Sequence, residues 1–393
     1  MDASELKSRV INEVDRHGDE LKELSLRIHR NPEVAFQEEK AVAWLTDYLQ
    51  AKGFAAEKGI SGLKTAFRAA YGKGKPVIAL LAEYDALPKL GHACGHNIIA
   101  TSAVGAGVAA RVVVDELGGT VQVLGTPGEE SGGGKVYMVK RGAFKGVDAV
   151  MMVHPAGLNT AATKFLALQT LEVEFFGKPA HAAARPEAGI NALEAMLLSY
   201  AGINSLRQHI RDGARIHGII TDGGEAPNIV PAHTAGRFIV RAAEDSYLEE
   251  LKVRVLDCFI GAAAATGAKL KYRWGETRYA PLRNNFTLAR LFRKNLQSLG
   301  RRVHLVDPRI SFGSSDIGNV SQVVPSIHPL IAIDTARAVT HSPQFAERAA
   351  SEVGMRGLTD AAKALAMTVV DLLAAPAALG EVKKEFQKGK NSG

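Results

Sequence analysis

Two patterns in the amino-acid sequence predict an α/β fold in which a domain with a mixed central sheet, flanked by helices, is interrupted by a smaller βαββαβ domain. In the first part of the chain, short apolar runs alternate with helical or glycine-rich segments, which is typical of a buried sheet covered by helices. In the middle of the chain, strand and helix patterns follow one another in the order of a two-layer domain, and the first pattern then returns.

The first part of the chain is predicted to begin with two helices. Apolar residues recur with helical spacing over residues 6–29 and 38–52, and the pair Asn31-Pro32 breaks the pattern between them. Buried strands are predicted from the apolar runs at 77–81, 121–124, 147–153 and 165–168. Functional groups of such a domain lie on loops at strand ends, so we expect the chemistry there.

The inserted domain is predicted from a second set of segments. A strand over 169–176 precedes a helix over 186–211, strands over 215–222 and 233–241, a helix over 246–266 and a strand over 269–275. This order is that of a split-βαβ, or ferredoxin-like, domain. After it we expect a helix over 286–299, strands at 303–306 and within 326–333, and closing helices over 345–374. The predicted segments are 1–167, 168–285 and 286–393, of which the first and third form one domain.

Composition limits the kind of protein this can be. A chain of 393 residues, 46% of them hydrophobic and 23% charged, is long enough for two or three cores, which excludes a single small binding module. No apolar run approaches the ~18 residues of a membrane-spanning helix and the opening segment is charged, so we expect a cytoplasmic protein without a membrane partner. With Cys94 and Cys258 as the only cysteines, a disulfide framework is ruled out.

The net charge of +7 raises the question of a nucleic-acid partner. Basic residues are concentrated in 282–309 and in the tail 381–393. Aromatic residues do not interleave with them in a stacking pattern, and no zinc-finger or RNA-binding motif is present. We therefore interpret the basic residues as a solvated helix face and a frayed tail, and no nucleic-acid partner is predicted.

The segment 83–97, Glu-Tyr-Asp-Ala-Leu-Pro-Lys-Leu-Gly-His-Ala-Cys-Gly-His-Asn, follows an apolar run and precedes a helix. Only Gly95 separates Cys94 from His96, so a tight loop can turn both side chains toward one point. A thiolate and an imidazole suit a borderline-soft ion such as zinc. Taken alone the pair is a weak signal, since a free cysteine usually packs in a core and a lone histidine is usually structural.

Three further clusters occupy comparable positions. Glu129 and Glu130 lie in a loop of glycine and proline after an apolar run, where one carboxylate can bind a metal while the other accepts a proton from water. His154 ends a strand, and His341 precedes the closing helices. Each alone is better explained as an exposed turn or a structural histidine. Their joint occurrence at strand ends of one sheet domain predicts a metal centre.

On these motifs the sequence resembles the co-catalytic zinc metallopeptidases, a family that includes aminoacylases, carboxypeptidase G and the auxin-conjugate amidohydrolases. The segments 91–97, 313–321 and 323–329 are most similar to the branch with aminobenzoyl-glutamate hydrolase and the β-alanyl-lysine dipeptidase. The resemblance spans nearly the whole chain. It implies a metal-dependent hydrolase of the amide bond in small N-acyl amino acids or dipeptides with a free carboxylate. It also implies that the interrupted domain is catalytic and that the inserted one is a lid and dimerisation domain.

The resemblance implies a role for each clustered residue. The implied cofactors are two divalent ions, which are zinc or manganese, with cobalt as the alternative. Glu129 is the implied general base and Asp85 the implied supporting acid. The implied metal ligands, among which Cys94 bridges the two ions, are Cys94, His96, Glu130, His154 and His341. The chain departs from the carboxypeptidase pattern, in which a histidine ligand stands where this sequence has Glu83, and Glu83 is left without an assigned role.

In the inserted domain, the resemblance implies groups that bind the substrate. His181 would reach the active site of a partner subunit and stabilise the oxyanion, while Asn228 and Arg241 would hold the substrate carboxylate. Gly313 and Ser314, in a segment that matches the dipeptidase branch, are implied as further substrate contacts. The implied assembly is a homodimer paired through the lid domain. From spacing alone, a surface charge is the simpler explanation of Arg241, and helix capping is an alternative for His181.

Two other functions stay open from the sequence alone. Cys94 could be the nucleophile of a cysteine hydrolase, although His96 is too close in sequence to be a typical partner and the two adjacent glutamates would have no role. The chain could also be a non-catalytic metal-binding or basic nucleic-acid-binding protein. That alternative does not explain why every position implied by the resemblance is filled.

Overall fold

The computed structural model describes residues 2–307, 313–335 and 339–390. The described residues form two compact units, of which the first contains 2–164, 282–307, 319–335 and 339–390, and the second contains 165–281 and 313–318. These divisions lie a few residues before the predicted boundaries. The segment 313–318 differs from the prediction, which assigns it to the catalytic domain. It belongs to the second unit because the Leu166 amide donates a hydrogen bond to the Gly313 carbonyl oxygen over 2.8 Å.

The first unit contains a mixed six-stranded sheet. Its strands are β1 (Ala55–Lys58), β2 (Phe67–Lys73), β3 (Val77–Ala82), β4 (Gly119–Gly125), β5 (Ala149–Met151) and β13 (Ser326–Ile327). The order is β1-β2-β4-β3-β5-β13, in which β1, β2 and β4 are antiparallel neighbours and β4, β3, β5 and β13 are parallel ones. The parallel strands are almost wholly apolar because both of their faces are covered. The predicted mixed central sheet is confirmed.

A second, smaller sheet of the first unit holds four short strands. They are β6 (His154–Ala156), β7 (Thr160–Ala162), β12 (His304–Val306) and β14 (Leu330–Ala332), in the order β12-β7-β14-β6. The strand region predicted within 326–333 is therefore shared between two sheets, with β13 in the larger and β14 in the smaller.

Helices cover the sheets of the first unit. They are α1 (Ala3–Arg16), α2 (Gly18–Arg30), α3 (Glu39–Ala51), α4 (His96–Leu117), α5 (Gly134–Lys140), α8 (Phe286–Ser298), α10 (Pro343–Ala349), α11 (Glu352–Ala374) and α12 (Pro376–Lys390). A further short helix, α9 (Ile317–Ser321), spans a division between the units. The single helix predicted over 6–29 is interrupted at His17, which leaves the α-helical region of backbone conformation (φ −97°, ψ 6°).

Helix α4 is the central helix of the first unit. Its sequence is apolar on all sides and rich in small residues, which fits a helix enclosed by other elements. Among the described residues it is the one unbroken helix long and apolar enough to cross a membrane. Burial of 89% of its apolar window within the fold identifies it as a core helix. This helix starts at His96, so its first turn carries one of the predicted metal ligands.

The second unit has the predicted βαββαβ order. Its elements are β8 (Ala167–Phe176), α6 (Ala192–Arg207), β9 (Arg215–Asp222), β10 (His233–Ala242), α7 (Asp245–Thr266) and β11 (Lys269–Tyr279). The strands form an antiparallel sheet in the order β11-β8-β10-β9. Alternate residues of β8, among them Leu171, Val173 and Phe175, pack with Met196 of α6 and Leu251 of α7. The ferredoxin-like prediction is confirmed.

Candidate metal centre

The loop after β3 places the first set of predicted ligands. Its start is fixed by the Ala86 amide, which donates a hydrogen bond to the Glu33 carbonyl oxygen over 2.8 Å. Its end is fixed at Gly95, which has a left-handed conformation (φ 78°). A Cβ atom at this position would lie 2.5 Å from Cγ of Pro155, so only glycine fits here. This turn brings Cys94 and His96 to the start of α4.

The buried carboxylate of Asp85 holds two other predicted site residues. Its Oδ1 lies 3.0 Å from Nδ1 of His96, and its Oδ2 accepts a hydrogen bond from the Glu130 amide over 2.9 Å. Burial by itself would raise the pKa of Asp85, but the adjacent His96 and the Glu130 amide lower it below the usual range. An ionised Asp85 accepts the Nδ1 proton of His96 and directs Nε2 away from itself, as supporting carboxylates of metal-bound histidines do.

The predicted ligands and the predicted base come together at one place. Cys94, His96 and His154 form one group whose ligand atoms all lie within 4.8 Å of one another. Cys94, Glu130 and His341 form a second such group, and His96, Glu129 and Glu130 form a third. His341 is exposed and has a left-handed conformation (φ 62°), and its amide donates to the Ala93 carbonyl oxygen over 2.9 Å. All six residues belong to the first unit.

The protonation of His154 suits a metal ligand. Its Nδ1 lies 2.7 Å from the Pro155 carbonyl oxygen and can only donate to it, which leaves the lone pair on Nε2. That Nε2 atom lies 3.3 Å from Sγ of Cys94. Burial, and then the neighbouring His96, lower the pKa of His154 to about 4, so the ring is neutral near pH 7.

Two buried atoms of the cluster have no hydrogen-bond partner among the described residues. They are Nε2 of His96 and Oε1 of Glu130, which lie 3.7 Å apart. Buried polar atoms are normally satisfied, so this pair is explained by a group that binds to both. One thiol, three imidazoles and two carboxylates are donors that divalent transition metals accept. The residues present therefore fit the implied metal.

The environment of Cys94 argues against a cysteine nucleophile. Burial raises the pKa of its thiol well above the usual range, despite the proximity of His96. A nucleophilic cysteine needs the opposite shift, because the reactive species is the thiolate. A thiolate at this position is stabilised by a bound cation, as in metal sites.

Glu83, which the sequence leaves without a role, forms a buried ion pair. Its Oε1 lies 2.5 Å from Nζ of Lys135 on α5, and its Oε2 lies 3.7 Å from Nε2 of His96. Both partners are almost completely buried, with side-chain exposures of 1% for Glu83 and 0% for Lys135. Sequence analysis missed Lys135, whose only local signal is a lysine directly after a run of glycines. The Glu83 carboxylate therefore lies beside the predicted ligand His96, and the positive charge of Lys135 compensates its negative charge.

In the second unit, the structure brings Arg241 and Ser314 together. Arg241, near the end of β10, donates from Nη1 to Oγ of Ser314 over 3.1 Å. Its buried Nε atom has no hydrogen-bond partner among the described residues. Gly313 adjoins this contact and pairs with Phe165 in an isolated bridge. Arg241 is thus partly enclosed and is not the freely exposed surface charge that spacing alone favours.

His181 and Asn228 lie on two adjacent loops of the second unit. The Ala182 amide donates to the Asn228 carbonyl oxygen over 3.0 Å, and both side chains are on exposed residues. Nδ1 of His181 accepts from the amides of Ala183 at 3.3 Å and Ala184 at 3.1 Å. His181 therefore caps a local turn through Nδ1, and in the neutral ring Nε2 carries the proton and is a donor.

Comparison with known proteins identifies similar chains. A family model described as "Peptidase family M20/M25/M40" matches residues 79–364. The chain is 39% identical over 398 residues to the Xaa-Arg dipeptidase of Mus musculus, covering 97% of this chain and 92% of that protein. It is 30% identical over 439 residues to one of the two p-aminobenzoyl-glutamate hydrolase polypeptides of Escherichia coli (strain K12), covering 92% of this chain and 91% of that protein. A solved structure of a dinuclear metal-binding M20 peptidase from Bacillus subtilis has the same fold, with a TM-score of 0.71, 21% identity, and coverage of 92% of this chain and 99% of that chain.

The buried ion pair generates a stability prediction. Lys135→Met should lower the free energy of unfolding by about 3 kcal/mol, because it leaves the Glu83 charge buried without its partner. Glu83→Gln in the same protein should restore part of that loss, since the double variant has no uncompensated charge. Denaturant unfolding of the metal-free proteins measures both effects. Strictly additive losses in the double variant would show that the two side chains do not act as a pair.

Proposed function

The chain belongs to peptidase family M20/M25/M40 and is a metal-dependent hydrolase of the amide bond in dipeptides or N-acyl amino acids, and from this premise we propose that its substrate is a dipeptide with a free carboxylate. The observation that carries the proposal is a pair of groups of possible metal ligands that share Cys94, one with His96 and His154 and the other with Glu130 and His341. The similarity to the Xaa-Arg dipeptidase supports the choice of a dipeptide. The similarity to the p-aminobenzoyl-glutamate hydrolase polypeptide supports aminobenzoyl-glutamate as the second candidate.

We propose that the five ligands hold two divalent ions and that zinc is the resident metal. The mixed thiolate and imidazole set supports zinc, while manganese and cobalt are the alternatives. When bound, the ions would polarise the amide carbonyl and make a water molecule more acidic. Asp85 orients His96 for this role, and the Glu83–Lys135 pair lies beside it. For the cellular location we propose the cytoplasm.

Glu129 is the proposed general base. Its position in one group with His96 and Glu130, with ligand atoms within 4.8 Å of one another, supports this role. Its carboxylate accepts a proton from the attacking water as the carbon–oxygen bond forms. The same proton then passes from Glu129 to the nitrogen of the departing amine as the carbon–nitrogen bond breaks. The donor Nε2 of His181 stabilises the negative charge that develops on the carbonyl oxygen.

Arg241 is the proposed anchor for the substrate carboxylate, with Asn228, Gly313 and Ser314 as further contacts. The guanidinium is partly buried and already donates to Ser314, which restricts its orientation. A restricted guanidinium can bind a carboxylate through two parallel hydrogen bonds. In this role, Arg241 would favour a substrate with a free carboxylate over the corresponding amide.

We propose a homodimer formed through the second unit, in which His181 of each subunit serves the site of its partner. Large apolar side chains are exposed on two of its elements: Leu197 and Leu198 on α6, and Ile219 and Ile220 on β9. β9 is an edge strand with one side unpaired in the sheet. Exposed apolar residues beside an unpaired strand edge support pairing with a second copy.

A substrate screen tests the proposed function. Protein reconstituted with zinc, manganese or cobalt is incubated with α- and β-alanyl dipeptides, aminobenzoyl-glutamate and N-acetyl amino acids, and amine release is measured. Dipeptides should be hydrolysed fastest, and a chelator should abolish the activity reversibly. Faster hydrolysis of aminobenzoyl-glutamate would favour the second candidate.

Glu129→Gln should retain metal but lose at least about 100-fold in kcat, because an amide cannot accept the proton of water. Metal content by mass spectrometry and turnover by amine release are measured on the same sample. Glu130→Gln is the matched control, which should lose metal as well as activity. Near-normal turnover of metal-loaded Glu129→Gln would refute the assignment of the base.

Arg241→Lys should raise the KM of a free-acid dipeptide by about tenfold or more, since lysine cannot form two parallel hydrogen bonds with a carboxylate. The corresponding dipeptide amide should be affected much less. Arg237→Lys, an exposed position on the same strand, is the control and should change neither substrate. Equal losses on acid and amide would contradict the carboxylate role.

The shared site can be tested by mixing two inactive variants. Co-refolded His181→Ala and Glu129→Gln subunits should form heterodimers in which one site has both intact residues. Activity should recover to at most about half of the wild-type value per heterodimer, because the other site of the heterodimer contains both substitutions. If mass spectrometry detects heterodimers but activity does not return, His181 does not serve its partner.

A further inference from the structure

The loop that carries Glu129 contains little that could fix its own shape. Residues 125–134 read Gly-Thr-Pro-Gly-Glu-Glu-Ser-Gly-Gly-Gly, and glycine is the residue with the largest conformational freedom to lose on folding. The Gly133 amide donates to the Gly128 carbonyl oxygen over 2.8 Å and closes the loop on itself. This bond constrains the loop internally but does not position it. The groups that do so come from elsewhere in the first unit.

One of these groups is the carboxylate of Glu38. Glu38 is fully buried, and its Oε1 accepts a hydrogen bond from the Gly128 amide over 2.9 Å. On the other side of Glu129, the Glu130 amide donates to Oδ2 of Asp85 over 2.9 Å. The amides of the residues on either side of Glu129 are therefore each bound to a buried carboxyl group. The peptide group before Gly128 and the peptide group after Glu129 are both held in place, which restricts the direction in which the Glu129 side chain can leave the backbone.

The second group is the ring of Phe36. A Cβ atom at Gly132 would lie 2.3 Å from Cε2 of Phe36, and one at Gly128 would lie 2.8 Å from its Cζ. The ring thus packs directly on the backbone of the loop, which only glycine permits at such short range. Phe36 itself has a left-handed conformation (φ 62°), which is rare for a bulky residue and persists only where the surroundings maintain it.

The segment that carries both residues is itself anchored. The carboxylate of Glu33 accepts hydrogen bonds from the amides of Lys40 and Ala41 in the first turn of α3, each over 3.0 Å. The Glu33 carbonyl oxygen accepts from the Ala86 amide, next to Asp85. Glu33, at the start of the segment, is thereby joined both to the first turn of α3 and to the loop after β3.

From these contacts we infer that Glu38 and Phe36 are positioning residues for Glu129, holding the glycine-rich loop in the conformation from which Glu129 acts as a base. The inference rests on the proposed function, because it takes Glu129 as the proton acceptor. Neither residue belongs to the groups of possible metal ligands found among the described residues. Glu38 and Phe36 affect turnover indirectly, because they determine the position of the loop that carries Glu129. A displacement on the order of 1 Å in a catalytic group can lower the rate about 100-fold.

The first experiment compares Glu38→Gln with Glu38→Met. Glutamine keeps an oxygen acceptor for the Gly128 amide, whereas methionine has a similar volume and no such acceptor. Glu38→Met should lower kcat at least about tenfold with KM and metal content unchanged, and Glu38→Gln should stay within about threefold of wild type. Thr46→Val in α3, the helix that Glu38 directly precedes, is the control, since Thr46 is equally buried and its hydroxyl donates to the carbonyl oxygens of Val42 and Ala43 in that helix.

Hydrogen–deuterium exchange supplies a readout that needs neither metal nor substrate. In the metal-free protein, Glu38→Met should accelerate exchange of the peptide covering 125–134, while Thr46→Val should leave it unchanged. If no metal gives hydrolysis, the proposed function fails while the exchange result still tests the contact. If hydrolysis is normal and Glu38→Met matches Thr46→Val in both kcat and exchange, the positioning role is wrong.

A second experiment uses the close approach of Phe36 to Gly132 and does not require Glu38→Met to fold. The three atoms nearest to a Cβ at Gly132 all belong to the Phe36 ring, so Gly132→Ala should displace the loop and lower kcat. Phe36→Ala should lower kcat in the wild-type background but raise it in the Gly132→Ala background. Such a reversal of sign is expected only if the two residues share one contact. A loss of kcat in both backgrounds would overturn the assignment of Phe36.

Discussion

The buried carboxylate of Asp85 is the contact on which the arrangement of the candidate metal centre depends. One of its oxygens lies 3.0 Å from Nδ1 of His96 and the other binds the amide of Glu130. Only 1% of Asp85 is exposed, so water does not compete effectively for either oxygen. The imidazole at the start of α4 and the loop after β4 are therefore held by one charged group, which the chain keeps ionised through those same contacts.

Asp85 can reach both partners because β3 and β4 are parallel neighbours. Their register pairs Ala82 with Gly125, and the Thr126 amide continues the pairing by donating to the Ala82 carbonyl oxygen. The two strands therefore end side by side at the same edge of the sheet, and the loops that follow them begin within reach of each other. β5 is the other parallel neighbour of β3, and His154 follows it by a few residues.

Packing against distant parts of the chain completes the site. A glycine-rich loop allows a ring and a carboxylate to approach its backbone closely, but it supplies no rigidity of its own. Phe36 and Glu38 contact this loop from a segment that precedes the sheet in sequence. Lys135 compensates the charge of Glu83, which would otherwise be buried beside His96. These contacts add order where the loop sequence alone permits many conformations.

The amino-acid sequence by itself determined the α/β class, the βαββαβ order and the positions of the clustered donors, because apolar periodicity and short motifs are local properties of the chain. It also indicated that Cys94 and His96 could turn toward one point, since a single glycine separates them. Tertiary structure alone decided which partners meet: Lys135 with Glu83, Glu38 with the Gly128 amide, and the segment 313–318 with the second unit. Those contacts join residues far apart in the chain, and no local periodicity specifies which distant group will satisfy a buried charge or amide.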